Sequence, residues 1–175
     1  MPAGFCRAWL LASAGIWATT LAPAAVVAVA GRPLTVPVRR LLGLTLSAHR
    51  TPAPQLAHAL ALACHNIPIA SWPLLLGALG ADRHRAGRCL ADGMLTMSTV
   101  VNALPVGAAL GAYGTAVLPY LPQLPLEWGA LALGASGWLV QRREPLASGE
   151  VVGLFGLIAG LLIYAAVTET FAVPA

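Results

Sequence analysis

The chain has 175 residues, of which 58% are hydrophobic and only 9% charged, with a formal net charge of +4 and a mean hydropathy of +0.79. A soluble domain carries about 25% charged residues, so this chain cannot cover a water-facing surface without aggregation-prone apolar patches. All ten basic residues are arginine, placed between apolar runs rather than along a stripe interleaved with aromatics, which excludes nucleic-acid binding as the meaning of the charge.

The uncharged stretches predict an all-α, polytopic transmembrane helical bundle of about five spans, one integral membrane domain covering 1–175. The first span is expected over 8–30, and Pro23 interrupts it. Arg7, the apolar run and Ala28-Val29-Ala30 before Gly31 also have the form of a secretory signal with its cleavage site. The run is long for a signal and long enough to span, and a retained helix is the expectation. An interfacial segment over 32–54 follows, in which Thr35 to Leu42 can form an amphipathic helix with Arg39 and Arg40 at headgroup level.

The second span is expected over 55–80, with Pro68 and Pro73 inside it, and Asp82-Arg83-His84-Arg85 forms a tight charged turn. The third, over 90–114, carries Asp92 and Asn102. An uncharged Pro-rich loop from Leu118 to Pro125 leads to a short fourth span over 124–140, and Arg142-Arg143-Glu144 separates it from the fifth, over 150–171. Each stretch has roughly the 17–25 residues that a hydrocarbon core requires. Internal prolines are tolerated because neighbouring helices satisfy the freed carbonyls, and two of the helices are expected to kink.

Orientation follows from the arginines. With five spans, Arg7, Arg83, Arg85, Arg88, Arg142 and Arg143 share one side, and Arg32, Arg39, Arg40 and Arg50 the other. The larger set is expected in the cytoplasm together with the N-terminus, and the Pro-rich loop outside.

Small residues mark expected helix contacts. Gly107-x-x-x-Gly111 lies on the third span and Gly153-x-x-Gly156-x-x-x-Gly160 on the fifth, and such spacing lets two backbones approach closely in lipid. Cys6, Cys64 and Cys89 are far apart and odd in number, so neither a metal cluster nor a disulfide framework is expected. The last two read as small hydrophobes.

Polar groups at membrane depth are costly and each needs a reason. Glu127 opens the fourth span, where the helix dipole favours a carboxylate, with Trp128 beside it as an interfacial belt residue. Glu169 lies near the end of the fifth span, the unfavourable end for a carboxylate, so a partner or a wet position is expected. With this topology Glu127 and Glu169 approach the same leaflet. His58 and His65 share a face of the second span but are too few for zinc without other ligands. Asn66 and Asn102 are expected to bridge helices through their amides, and Asp92 to pair with Arg88. The intramembrane polar site is therefore drawn from Glu127, Glu169, Asn66, His65 and Asn102, with no metal and no cofactor.

Gly134-Ala135-Ser136-Gly137 resembles the nucleophile segment of rhomboid intramembrane proteases, in which the general base is a histidine on a later helix. No histidine follows His84 here, and a serine without a base is a poor nucleophile. There is no Gly-x-x-x-x-Gly-Lys phosphate loop either, so the chain is not expected to hydrolyse ATP by itself.

Three segments resemble the stage II sporulation protein M family of bacterial membrane proteins, over roughly residues 60–174. His65-Asn66 followed by Leu74-Leu75-Leu76-Gly77 is similar to that family's Asn-containing helix. Leu121 to Ala130 is similar to its Leu-Pro-His-Gly-x-x-Glu-Leu-Pro-Ala element, with Gln123-Leu124 in place of His-Gly. Ala165 to Pro174 is similar to its terminal Ala-x-x-Glu-x-Phe-x-x-Pro. The resemblance implies a multi-span protein without known catalysis, and carries over only Glu127 and Glu169 as family positions. The Ala/Leu/Arg-rich composition without lysine suggests a high-GC bacterium.

The expectation from the whole sequence is a non-enzymatic membrane scaffold or assembly factor in a bacterial cytoplasmic membrane. Its partners would be the lipid bilayer, other membrane or envelope proteins and a second copy of itself. The competing expectation is a small transport component with an intramembrane Glu127/Glu169 site, and a more distant one is the rhomboid-like protease.

Overall fold

The structure, a computed structural model, describes residues 4–43 and 56–172. Among them there is no strand, and the order of helices is α1 (Phe5–Ala30), α2 (Arg32–Leu42), α3 (Leu56–Ala78), α4 (Arg85–Tyr113), α5 (Leu124–Gln141) and α6 (Ser148–Ala172). Short 3-10 turns at Ala81–Arg83 and Gly114–Tyr120 join α3 to α4 and extend α4. The all-α expectation holds, and the five long helices lie within a few residues of the expected spans.

Four of these segments are long and apolar enough to cross a membrane: Phe5–Ala30, Leu56–Ala78, Arg85–Tyr120 and Ser148–Phe171. The fifth expected span, α5, differs in kind. Its 18 residues rise about 27 Å, and it carries Glu127, Ser136 and Gln141. It has twelve buried residues, among them Trp128, Ser136, Trp138 and Gln141. The helix lies between α1, α3 and α6, so most of its surface meets protein and need not suit lipid.

Paired residues set the directions. Gly107 and Gly111 of α4 lie against Thr20 and Ala24 of α1, which makes those two helices parallel. Gly134 and Gly137 of α5 lie against Ala70 and Leu74 of α3, again parallel. Trp128 of α5 reaches Thr20 of α1 and Phe5 shares a core cluster with Val140, so α1 and α5 are antiparallel. Asp92 of α4 meets Trp138 and Arg142 of α5, and Ala63 of α3 clusters with Ala166 of α6. Successive long helices therefore alternate in direction. One end of the bundle gathers Phe5, Gly77, Arg88 and Arg142, and the opposite end gathers His58, Ala112, Glu127 and Glu169.

Several helix hydroxyls bond back to the preceding turn of their own helix. Thr20 donates to the Ile16 carbonyl at 3.0 Å, Ser71 to Ile67 at 2.7 Å and Thr99 to Leu95 at 2.9 Å, which is how hydroxyls are accommodated where water is absent. The helices run without interruption through Pro23, Pro68, Pro73 and Pro105.

A helix is present where an interfacial one was expected: α2, which ends at Leu42 with Gly43 as its cap; the rest of that segment, 44–54, lies outside the described residues. Gly31, at φ 62°, makes the one-residue corner between α1 and α2, a backbone position that disfavours a side chain. Arg39 does not stand free at headgroup level. Its Nε and Nη2 donate to the Ala112 carbonyl at 2.9 and 2.6 Å, and its guanidinium lies 5.0 Å from the Tyr113 ring centroid. A cation on the last carbonyls of α4 satisfies orphan acceptors and complements the dipole.

Candidate functional site

Where α3, α4, α5 and α6 meet, they enclose a cavity of about 50 Å³ lined by Asn66, Asn102, Glu127, Trp128 and the apolar Ile69, Ala70, Leu131 and Leu162. Helical spacing explains the lining. Asn66, Ile69 and Ala70 share one face of α3, and Glu127, Trp128 and Leu131 one face of α5. Three of the five expected site residues thus come together. The polar members are one carboxylate and two amides, a set able to orient water or hold a proton or small cation by oxygen atoms.

Each side chain is held differently. Glu127 is in the first turn of α5, where the orphan N–H groups favour negative charge. It is part-buried, and among the described residues no cation forms an ion pair with it. Asn102 donates its amide to the Ser98 carbonyl of its own helix at 2.7 Å. That leaves the amide oxygen for the cavity, where the sequence suggested a bridge between helices.

Glu169, part-buried near the end of α6, does not line the cavity but is close enough to Glu127 for the two to interact electrostatically. His58, at the start of α3, interacts in the same way with Glu169. The two carboxylates and the imidazole are thus gathered at the end of the bundle that holds the start of α3 and the end of α6. His65 is exposed and absent from the lining, because on α3 it points a helical position away from Asn66. His65 and Glu169 are thus the two expected site residues that do not line the cavity.

Trp128 departs most from expectation. It is buried, at 4% exposure, and its indole N–H donates to the Thr20 hydroxyl at 3.0 Å. It is a core residue tying α5 to α1 rather than a belt residue. Asp92 likewise takes a different partner: its Oδ1 accepts from Trp138 Nε1 at 2.9 Å and from Arg142 Nη1 at 3.1 Å, joining α4 to the end of α5, not to Arg88 on its own helix.

The small-residue motifs divide. Gly107 and Gly111 press directly on the α1 backbone. Among the described residues, Gly153, Gly156 and Gly160 pack against no other helix, since a Cβ at any of them would meet nothing within 4 Å. In the Gly134–Gly137 segment, Ser136 is fully buried and donates to the Ala132 carbonyl. His58, His65 and His84 are all exposed, so none of these described histidines shares the interior with that hydroxyl.

Sequence reasoning missed Trp128 as a wall of the cavity and Thr20 as its anchor. The signal available was positional: Trp128 follows Glu127 directly and precedes Leu131 by three, so all three cover one stripe of the helix. No protein-family model, curated protein or solved structure matches the chain.

Proposed function

We propose that the chain is a non-enzymatic multi-pass protein of a bacterial cytoplasmic membrane, of the stage II sporulation protein M type. In this reading it acts as a scaffold or assembly factor for envelope-associated partners, with its N-terminus in the cytoplasm. The observation that carries the reading is the outer face of α6. Gly153, Gly156 and Gly160 leave open space there, between the exposed Val152, Leu157 and Tyr164. The chain uses the same device internally at Gly107 and Gly111. Close backbone approach is a main source of helix association in lipid, so the unused ridge is suited to a helix from another chain. The two carboxylates that the resemblance singles out, Glu127 and Glu169, also stand within electrostatic reach of one another.

The test is a photo-crosslinking amino acid at Val152 or Tyr164, in cells carrying the wild-type chain or Gly156→Leu. The scaffold reading expects a discrete crosslinked product that Gly156→Leu abolishes. Lipid-only crosslinks in both chains, with no self-association in mild detergent, would remove its support.

A second reading, a small transport component, is favoured by the cavity itself. A space of about 50 Å³ holds water rather than a metabolite, which narrows the cargo to a proton or small cation. An ionisable group in a spanning bundle is how such pathways are marked. Proton or cation flux into liposomes, lost in Glu127→Gln, distinguishes this reading from the first.

A further inference from the structure

A second and larger concavity lies away from the polar site, at the opposite end of the bundle. It encloses about 850 Å³ between the start of α1, the end of α5 and Arg88 of α4. Four arginines line it, Arg7, Arg88, Arg142 and Arg143, against the single carboxylate Glu144. Arg142 is engaged by Asp92 at 3.1 Å. Among the described residues the other three guanidiniums form no ion pair. Gathering like charges in one hollow is unfavourable until an anion fills it.

The remaining wall is apolar. Leu11, Leu139 and Val140 line the same space, and Leu10 and Leu11 continue outward as an exposed face of α1, at 60% and 61% exposure. A ligand matching both parts carries a phosphate at one end and hydrocarbon at the other. The volume suits a lipid headgroup with its glycerol. Guanidinium forks match phosphate oxygens in geometry as well as charge, and basic hollows between spanning helices are where anionic headgroups bind.

We propose that this cavity is a binding site for the phosphate group of an anionic phospholipid, with the acyl chains leaving along α1. The proposal depends on the helices crossing a membrane and is independent of whether the chain works as a scaffold or in transport.

The test uses the delipidated full chain in neutral detergent, titrated with phosphatidylglycerol, phosphatidylcholine, glycerol phosphate and inorganic phosphate, and read by native mass spectrometry and by melting temperature. Phosphatidylglycerol is expected to bind and raise the melting temperature, phosphatidylcholine to do neither, and the two soluble phosphates to compete only weakly. Each neutralised arginine among Arg7→Gln, Arg88→Gln and Arg143→Gln is expected to weaken phosphatidylglycerol about fivefold. Should Arg7→Gln or Arg88→Gln fail to purify, Arg143→Gln alone, at an exposed position, must still show its share. Equal binding of phosphatidylcholine, or unchanged affinity in the variants, would overturn the proposal. Inorganic phosphate binding as tightly as the lipid would overturn the lipid assignment and make the ligand a soluble anion.

Discussion

Placing a methyl group at Gly107 tests the packing of the bundle at one of its tightest contacts. A Cβ there would fall onto the Thr20 carbonyl oxygen, with the Thr20 carbonyl carbon 2.9 Å and its Cα 3.3 Å away. All three atoms are backbone, so no flexible side chain can yield. Restoring ordinary separations requires α1 to move off α4 by about 1 Å. That movement also draws Thr20 away from Trp128, whose indole it accepts at 3.0 Å. Overpacking of this kind costs about 1–3 kcal/mol, roughly a 5- to 150-fold change in the unfolding equilibrium. Gly156→Ala is the matched control, since its Cβ meets nothing within 4 Å. Both changes gain the same helix propensity, about 1 kcal/mol, so the difference between the two variants isolates the packing cost. The assay is equilibrium unfolding in mixed micelles followed by tryptophan fluorescence. If Gly107→Ala is as stable as Gly156→Ala, the close approach of α1 and α4 is wrong.

A double-mutant cycle of Thr20→Val and Trp128→Phe in the same assay is expected to show a coupling of about 0.6–1.7 kcal/mol; additive effects would deny the hydrogen bond. Asp92→Asn keeps an acceptor for Trp138 and loses only the Arg142 pair, whose side chains are 33% and 41% exposed, so it is expected to cost under about 1 kcal/mol. Asp92→Ala, which strands the fully buried Trp138 indole, is expected to cost about 1–3 kcal/mol, and equal losses would argue against that bond. With single-cysteine chains, Cys6 and Cys89 should react with a membrane-impermeant maleimide from the same face, since both lie at the Phe5 end of the bundle. Cys64, about 12 Å along α3 from its first residue, should stay unlabelled from either side.

Much of the architecture was legible because charge is so scarce. Arg7, the Asp82–Arg88 cluster and Arg142–Glu144 punctuate the chain, and the helices fill the gaps to within a few residues. What was not legible is which face of each helix turns inward. In water an amphipathic stripe reports that, but lipid and protein interior are both apolar, and α1, α3 and α6 carry no such stripe. Trp128 was therefore expected at the interface and lies in the core. The glycines of α6 were expected inside and lie outside. His65 and Asn66 are neighbours in sequence, and only the second reaches the cavity. The expected residues that line the cavity, Asn66, Asn102 and Glu127, stand out in the sequence because a polar group within an apolar run is conspicuous whatever its direction. Asp92 was visible for the same reason, but its partner lies fifty residues away on another helix, a separation that no local pattern encodes.

The central position of α5 has a consequence for biogenesis. The one long helix outside the set long and apolar enough to cross a membrane is the one that the others enclose, so it has the least to gain from lipid alone. Its stable place depends on α1 and α3, made before it, and on α6, made after it. On the reading that the bundle spans a membrane, the α5–α6 hairpin would be the unit in which the last part of the chain enters the bilayer, with α6 drawing in the less apolar α5. As isolated segments in a membrane-insertion reporter, 124–141 should insert less efficiently than 148–172, and adding 142–172 behind the former should restore it. Equal insertion of the two isolated segments would mean that α5 is positioned by the bilayer first and by its neighbours only afterwards.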